Sequence, residues 1–159
     1  MNAPDLIDLC RTKGLKIATA ESCTGGMVGA WLTDVPGSSD VFDRGFITYS
    51  NAAKRDMLGI IQATLDEFGA VSEQIAHEMA VGALARSQAD LAVSITGIAG
   101  PGGSEHKPEG RVCSGLATRE GCQTETIEFG AMGRAKVRYA AADHALTLLS
   151  QAALALGAR

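Results

Sequence analysis

An apolar segment that breaks off into hydroxyls, a thiol and paired glycines constrains this chain more than any other feature. Leu15, Ile17, Ala18 and Ala20 lead into Glu21-Ser22-Cys23-Thr24-Gly25-Gly26. Met27, Val28, Ala30, Trp31 and Leu32 then follow at helical spacing. The pattern predicts a strand over 15–20, a tight turn, and a helix over 25–34 that stops before Pro36-Gly37. Open α/β sheets place their ligands outside the carboxyl ends of strands, which is where this turn falls. Unpaired amides at a helix start favour an anion or a developing negative charge. Ser22 stands at that turn.

The rest of the chain repeats the alternation. Asp5 to Cys10 belongs to a short first helix ended by Gly14. Phe46, Ile47 and Tyr49 mark a second strand near 44–49, and Asn51 to Met57 forms a short helix broken by Gly59. Ser72 caps a helix whose stripe is Ile75, Met79 and Ala83. Leu91 to Thr96 reads as a strand running into a glycine-rich loop. Residues 112–118 and 124–129 form two strands around Gly121 that pair antiparallel, and a last helix covers 133–156. Strands alternating with helices call for a mixed sheet covered by helices on both faces.

At 159 residues the chain makes one domain with a real core, and 46% hydrophobic with 20% charged residues excludes a disordered chain. A formal net charge of −4 gives no general electrostatic attraction to nucleic acid, while leaving room for a local basic pocket. Asp5, Asp8 and Arg11 interrupt the early apolar residues, so no signal peptide is expected, and no apolar run approaches membrane-spanning length. Cys10, Cys23, Cys113 and Cys122 form no CxxC pair, and reduced thiols of a cytoplasmic protein are expected.

Ser22 has two readings: a helix cap satisfying a backbone amide, or a nucleophile whose oxyanion the turn amides stabilise. Cys23 competes as nucleophile or serves as a small core residue. His77, His106 and His144 occupy no spacing that builds a Ser-His-Asp triad, and no G-x-S-x-G elbow occurs. Lys54 is the better base to consider if desolvated, with Tyr49 orienting a proton or an aromatic ligand. The alternatives are a lysine on a solvated helix face and a half-buried strand aromatic. In Thr96-Gly97-Ile98-Ala99-Gly100-Pro101-Gly102-Gly103-Ser104 the missing β-carbons let backbone amides approach a phosphate or carbonyl, or simply make a sharp turn. Arg134 and Arg138, four residues apart, share a helix face and either bind phosphate or make surface pairs. Asp34, Asp40, Asp43 and Asp56, even with Asp90 and Glu105, make no two-metal constellation, so no metal is expected.

Taken together, Ala18 to Gly26, Tyr49-Ser50-Asn51 with Lys54, Gly69-Ala70-Val71-Ser72 and Thr96 to Gly103 closely resemble the C-terminal domain family of competence/damage-inducible protein CinA. The resemblance spans 5–156. It implies a three-layer α/β/α domain with a mixed, mostly parallel sheet. It also implies hydrolysis of the carboxamide of nicotinamide mononucleotide to nicotinate mononucleotide and ammonia. By the same resemblance Ser22 is the nucleophile and Lys54 the general base, with Tyr49 assisting. Cys23, Thr24, Gly25, Gly26, Thr96, Gly97, Gly100, Gly102, Arg134 and Arg138 would bind substrate, Arg138 being the stronger phosphate candidate. No cofactor is implied; the partners expected are a small-molecule nucleotide and further copies of the chain, with neither nucleic acid nor membrane. Two features depart from the family pattern: Ala131-Met132-Gly133 replaces a Gly-Asp type of approach to Arg134, and Glu109 stands where a small apolar residue is common. The competing classes are a nucleotide-binding or regulatory module without efficient chemistry and a purely structural homo-oligomer.

Overall fold

A computed structural model describes residues 1–104 and 106–159; Glu105 lies outside the described residues. Among the described residues six α-helices and five strands follow one another along the chain. They are α1 (Ala3–Lys13), β1 (Ile17–Glu21), α2 (Met27–Thr33), β2 (Phe42–Ile47), α3 (Asn51–Leu58), α4 (Gln62–Phe68), α5 (Glu73–Ala85), β3 (Leu91–Gly97), β4 (Arg111–Thr118), β5 (Gly121–Glu128) and α6 (Arg134–Ala155). A 3-10 turn at Ser38–Asp40 precedes β2.

The strands lie in the order β2-β1-β3-β4-β5. β1 pairs in parallel with both β2 and β3, while β4 runs antiparallel to β3 and to β5. Four of the five strands therefore point one way, and only β4 is reversed. The chain leaves β1 toward β2 on one side and returns to β3 on the other. That puts the topological switch point, where ligand crevices open in such sheets, at the carboxyl end of β1.

Period-two alternation divides the sheet into unlike faces. Ile17, Leu91, Val93 and Ile95 point to one side, where they pack against α1, α2 and α6 through Leu6, Ile7, Val28, Leu32, Val137 and Leu149. Ala18, Ala20 and Ala92 point to the other and meet Leu58, Leu65, Ile75 and Met79 of α3, α4 and α5. The small residues on this second face let α5 approach closely. A β-carbon on Gly115 of β4 would lie 2.5 Å from the Ala76 carbonyl, and Ser94 Oγ donates to that same carbonyl at 2.6 Å.

Local signals set the helix ends. Asn2 caps α1, Ser50 caps α3 and Ser72 caps α5, each side chain accepting from an amide three residues on. Such caps contribute about 1 kcal/mol apiece. Gly14 and Gly59 end α1 and α3 in left-handed conformation. The expected elements are all present with shifted ends. β2 begins at Phe42 rather than 44, and Gly121 opens β5 by pairing with Thr118 instead of sitting in the turn. Helix α4 escapes the sequence pattern because Leu65 is its one buried residue. All four cysteines are free thiols. Among the described residues no helix is long and apolar enough to cross a membrane.

Candidate active site

Ser22 follows directly on β1 and is pinned to the neighbouring strand, its amide donating to Ile95 O at 2.9 Å. It does not cap α2. Gly26 occupies that position with φ +103°, a left-handed backbone with Ile47 packed where a side chain would go. The helix start is served instead by Glu21, a buried carboxylate. Its Oε1 accepts from Thr24 Oγ1 at 2.7 Å and from Val28 N at 2.9 Å, and its Oε2 accepts from Gly29 N at 3.0 Å. Three donors on one carboxylate fix the turn, and a negative charge beside the first helical amides suits the helix dipole. With those contacts made, the Ser22 hydroxyl is released from capping.

It faces Lys54. Helix α3 starts at the Ser50 cap, one turn before Lys54, and points this side chain back under the ends of β1 and β2. Lys54 is 1% exposed, the largest of the fully buried side chains. Nζ donates to Ser22 Oγ at 2.9 Å, to Thr48 O at 3.1 Å and to Tyr49 O at 3.3 Å. The reading of Lys54 on a solvated helix face is therefore excluded. The Tyr49 side chain is 62% exposed and does not reach the serine; the backbone carbonyl of Tyr49 is what touches the lysine.

The other expected residues gather around this pair in distinct ways. Arg138 donates from Nε to Cys23 O at 2.9 Å and from Nη2 to Thr24 O at 3.2 Å, clamping the serine turn from α6. Arg134, one turn earlier and exposed, donates from Nη1 to Gly100 O at 2.6 Å and from Nη2 to the Tyr49 hydroxyl at 2.8 Å. Of the two, Arg134 lies nearer open solvent, whereas Arg138 has its fork on backbone carbonyls. Thr96 is buried and its hydroxyl donates to Ala70 O at 2.8 Å, so it ties the segment before α5 to β3. Gly97 meets the serine turn, since a β-carbon there would lie 3.2 Å from Cys23 Sγ. Gly100 and Gly102 have positive φ, and Gly102 N donates to Glu109 Oε1 at 3.1 Å. Within the turn, Gly25 N and Met27 N already donate to Ser22 O and Thr24 O. Among the described residues, the amides of Cys23, Thr24 and Gly26 have no such backbone acceptor.

Cys23 is a core residue, and burial pushes its thiol up to about 11. The thiol therefore stays protonated at neutral pH, which works against Cys23 as the nucleophile. Iodoacetamide at neutral pH is accordingly expected to leave Cys23 unmodified in the folded protein, as read by mass spectrometry of its peptide. Fast alkylation there would contradict the burial argument.

The histidines take no part in this cluster: His77 lies on α5, and His144 on α6 pairs with Glu125 of β5. Among the described residues no three His, Cys, Asp or Glu side chains assemble as a metal-ligand set. Two open clefts, of about 590 and 860 Å³, flank the β4–β5 hairpin on the sheet, and neither is lined by Ser22 or Lys54. Chemistry and topology, more than cavity size, single out the end of β1. Sequence reasoning missed Glu21 and the Thr48 carbonyl. The signal for Glu21 is a carboxylate in an otherwise apolar strand immediately before a hydroxyl-rich turn.

Fold and site together define a three-layer α/β/α protein with a buried serine–lysine hydrogen bond at the switch point of a mixed sheet. The chain belongs to the CinA C-terminal domain family, whose model matches residues 2–153. It is 50% identical over 142 residues to the nicotinamide-nucleotide amidohydrolase PncC of Escherichia coli K12, covering 89% of this chain and 86% of that protein. It is also 50% identical over 146 residues to a putative competence-damage inducible protein of Caldicellulosiruptor saccharolyticus, covering 91% of this chain but 35% of that longer relative. The crystal structure of competence/damage inducible protein CihA from Agrobacterium tumefaciens superposes with a TM-score of 0.82 at 47% identity, over 92% of this chain and 94% of that one.

Proposed function

We propose that this chain, as one domain over 5–156, hydrolyses the carboxamide of nicotinamide mononucleotide to nicotinate mononucleotide and ammonia. The observation that carries this reading is the 2.9 Å contact between Ser22 Oγ and a buried Lys54 Nζ. The similarity to an amidohydrolase named for nicotinamide nucleotides supports the substrate. A serine hydroxyl is a weak nucleophile until a base takes its proton. A neutral amine can give its two N–H groups to the Thr48 and Tyr49 carbonyls and turn its lone pair toward Ser22. As an ammonium it donates to the same oxygens, so the proton can move without rearranging the partners.

In the proposed reaction Lys54 takes the Ser22 proton as Oγ bonds to the carboxamide carbon. The carbonyl oxygen becomes an oxyanion, for which the amides of Cys23, Thr24 and Gly26 are the candidate donors. Lys54 returns the proton to the amide nitrogen, the C–N bond breaks, and ammonia leaves an acyl ester on Ser22. Water, deprotonated by Lys54, then attacks that ester and releases the carboxylate and the free serine. Arg134 and the Gly97–Gly103 loop would hold the phosphate, so that binding energy remote from the amide orients it over Ser22. Arg138 would keep the turn in place.

Incubating purified protein with nicotinamide mononucleotide should release ammonia and nicotinate mononucleotide in equal amounts, and Ser22→Ala should lower kcat by about a thousandfold or more. Equal turnover by wild type and Ser22→Ala would refute the assignment. Saturable nucleotide binding without turnover would favour a binding module instead.

A further inference from the structure

The glycine-rich loop already holds an anion of its own. Gly102 N, an amide of this loop, donates to Glu109 Oε1 at 3.1 Å. The same carboxylate lies against Gly100, where a β-carbon would come within 1.8 Å of Oε1, so the glycine makes room for the carboxylate. Arg134 grips Gly100 through its carbonyl, at 2.6 Å from Nη1. A formal negative charge and a formal positive charge thus flank one loop residue, and the arginine extends from there to the exposed Tyr49 ring. An incoming phosphate attracted by Arg134 meets the Glu109 carboxylate, and it finds the Gly102 amide occupied.

We propose that Glu109 sets the charge selectivity of the loop between β3 and β4, weakening its hold on a dianionic phosphate and so narrowing the preference for phosphorylated over unphosphorylated pyridine substrates. The proposal rests on the reading of the end of β1 and this loop as a pyridine-nucleotide site. Glu109→Gln isolates the effect, because the amide oxygen can still accept from Gly102 N while the charge is gone. Glu109→Asp keeps the charge and serves as the control.

Two readouts separate this proposal from the reading beneath it. Titration with inorganic phosphate, followed through the Gly102 and Gly103 amide resonances, should show about three- to tenfold tighter binding in Glu109→Gln than in wild type or Glu109→Asp at about 0.02 M salt. The gain should largely vanish at about 0.5 M. In turnover, the ratio of kcat/KM for nicotinamide mononucleotide over nicotinamide riboside should rise by a similar factor, carried by KM. Unchanged phosphate affinity, no phosphate binding in any variant, or an unchanged selectivity ratio in an active enzyme overturns the role of Glu109. Tighter phosphate binding in a protein that hydrolyses neither substrate leaves Glu109 in place and overturns the amidohydrolase reading.

Discussion

Replacing Lys54 with methionine should lower kcat for carboxamide hydrolysis by about a thousandfold or more while nucleotide affinity changes little. The length and volume of the side chain are kept, so α3 can still pack under β1 and β2. What disappears is the amine 2.9 Å from Ser22 Oγ that can accept its proton. The Thr48 and Tyr49 carbonyls lose a donor, which should cost some stability, but a buried amine and its desolvation penalty go with it. Lys54→Arg sharpens the test. A guanidinium keeps the positive charge and several donors yet does not give up a proton in proteins, so it should be as inactive as the methionine variant. Equilibrium binding of nicotinamide mononucleotide to both variants separates lost chemistry from lost affinity. Near-normal turnover in Lys54→Met would remove the lysine from the mechanism.

The second large effect belongs to Glu21, the carboxylate that holds the serine turn. Glu21→Ala should destabilise the protein by about 3 kcal/mol or more, lowering Tm by roughly 10 °C. The substitution strands the Thr24 hydroxyl and the Val28 and Gly29 amides, all of which now donate to one carboxylate. Because the turn between β1 and α2 carries Ser22, activity should fall even at temperatures where the variant remains folded. Glu21→Gln should recover part of both losses, since one side-chain oxygen can still accept. Thermal unfolding of the three proteins decides the matter, and a Tm for Glu21→Ala within about 2 °C of wild type would show that the turn holds without the carboxylate.

Much of this fold can be read from the sequence because local chemistry and long-range packing agree. Apolar residues 15–20 end at the hydroxyl-rich turn, Ser72 caps its helix, and Gly14 and Gly59 stop theirs. Helix α4 is hidden because a single buried leucine sets no period, and its N-cap Ile61 and last residue Phe68 stay exposed. The site is less legible than the fold. Ser22 and Lys54 lie 32 positions apart, and the β1–β2 pairing with the angle of α3 brings them together. Motif resemblance names both residues, yet it says nothing of which atoms meet. The contribution of Tyr49 through its carbonyl, and the clamping of the Cys23 and Thr24 carbonyls by Arg138, depend on backbone positions that no spacing encodes. Glu109 looks from sequence like a stray charge in a loop. Its meaning emerges only when the carboxylate is found against Gly100 and Gly102.

The reversal of β4 divides the molecule's surface in a way that matters for handling it. Thr118 and Gly121 close the hairpin beside Leu91, at the end of the sheet opposite Ile95, the strand residue to which Ser22 is tied. Arg119 and Glu120 at its tip are exposed. A dye, an affinity handle or a fused reporter attached there would sit a full strand length from the reacting atoms, and turnover could be followed in a tagged protein with the crevice left open.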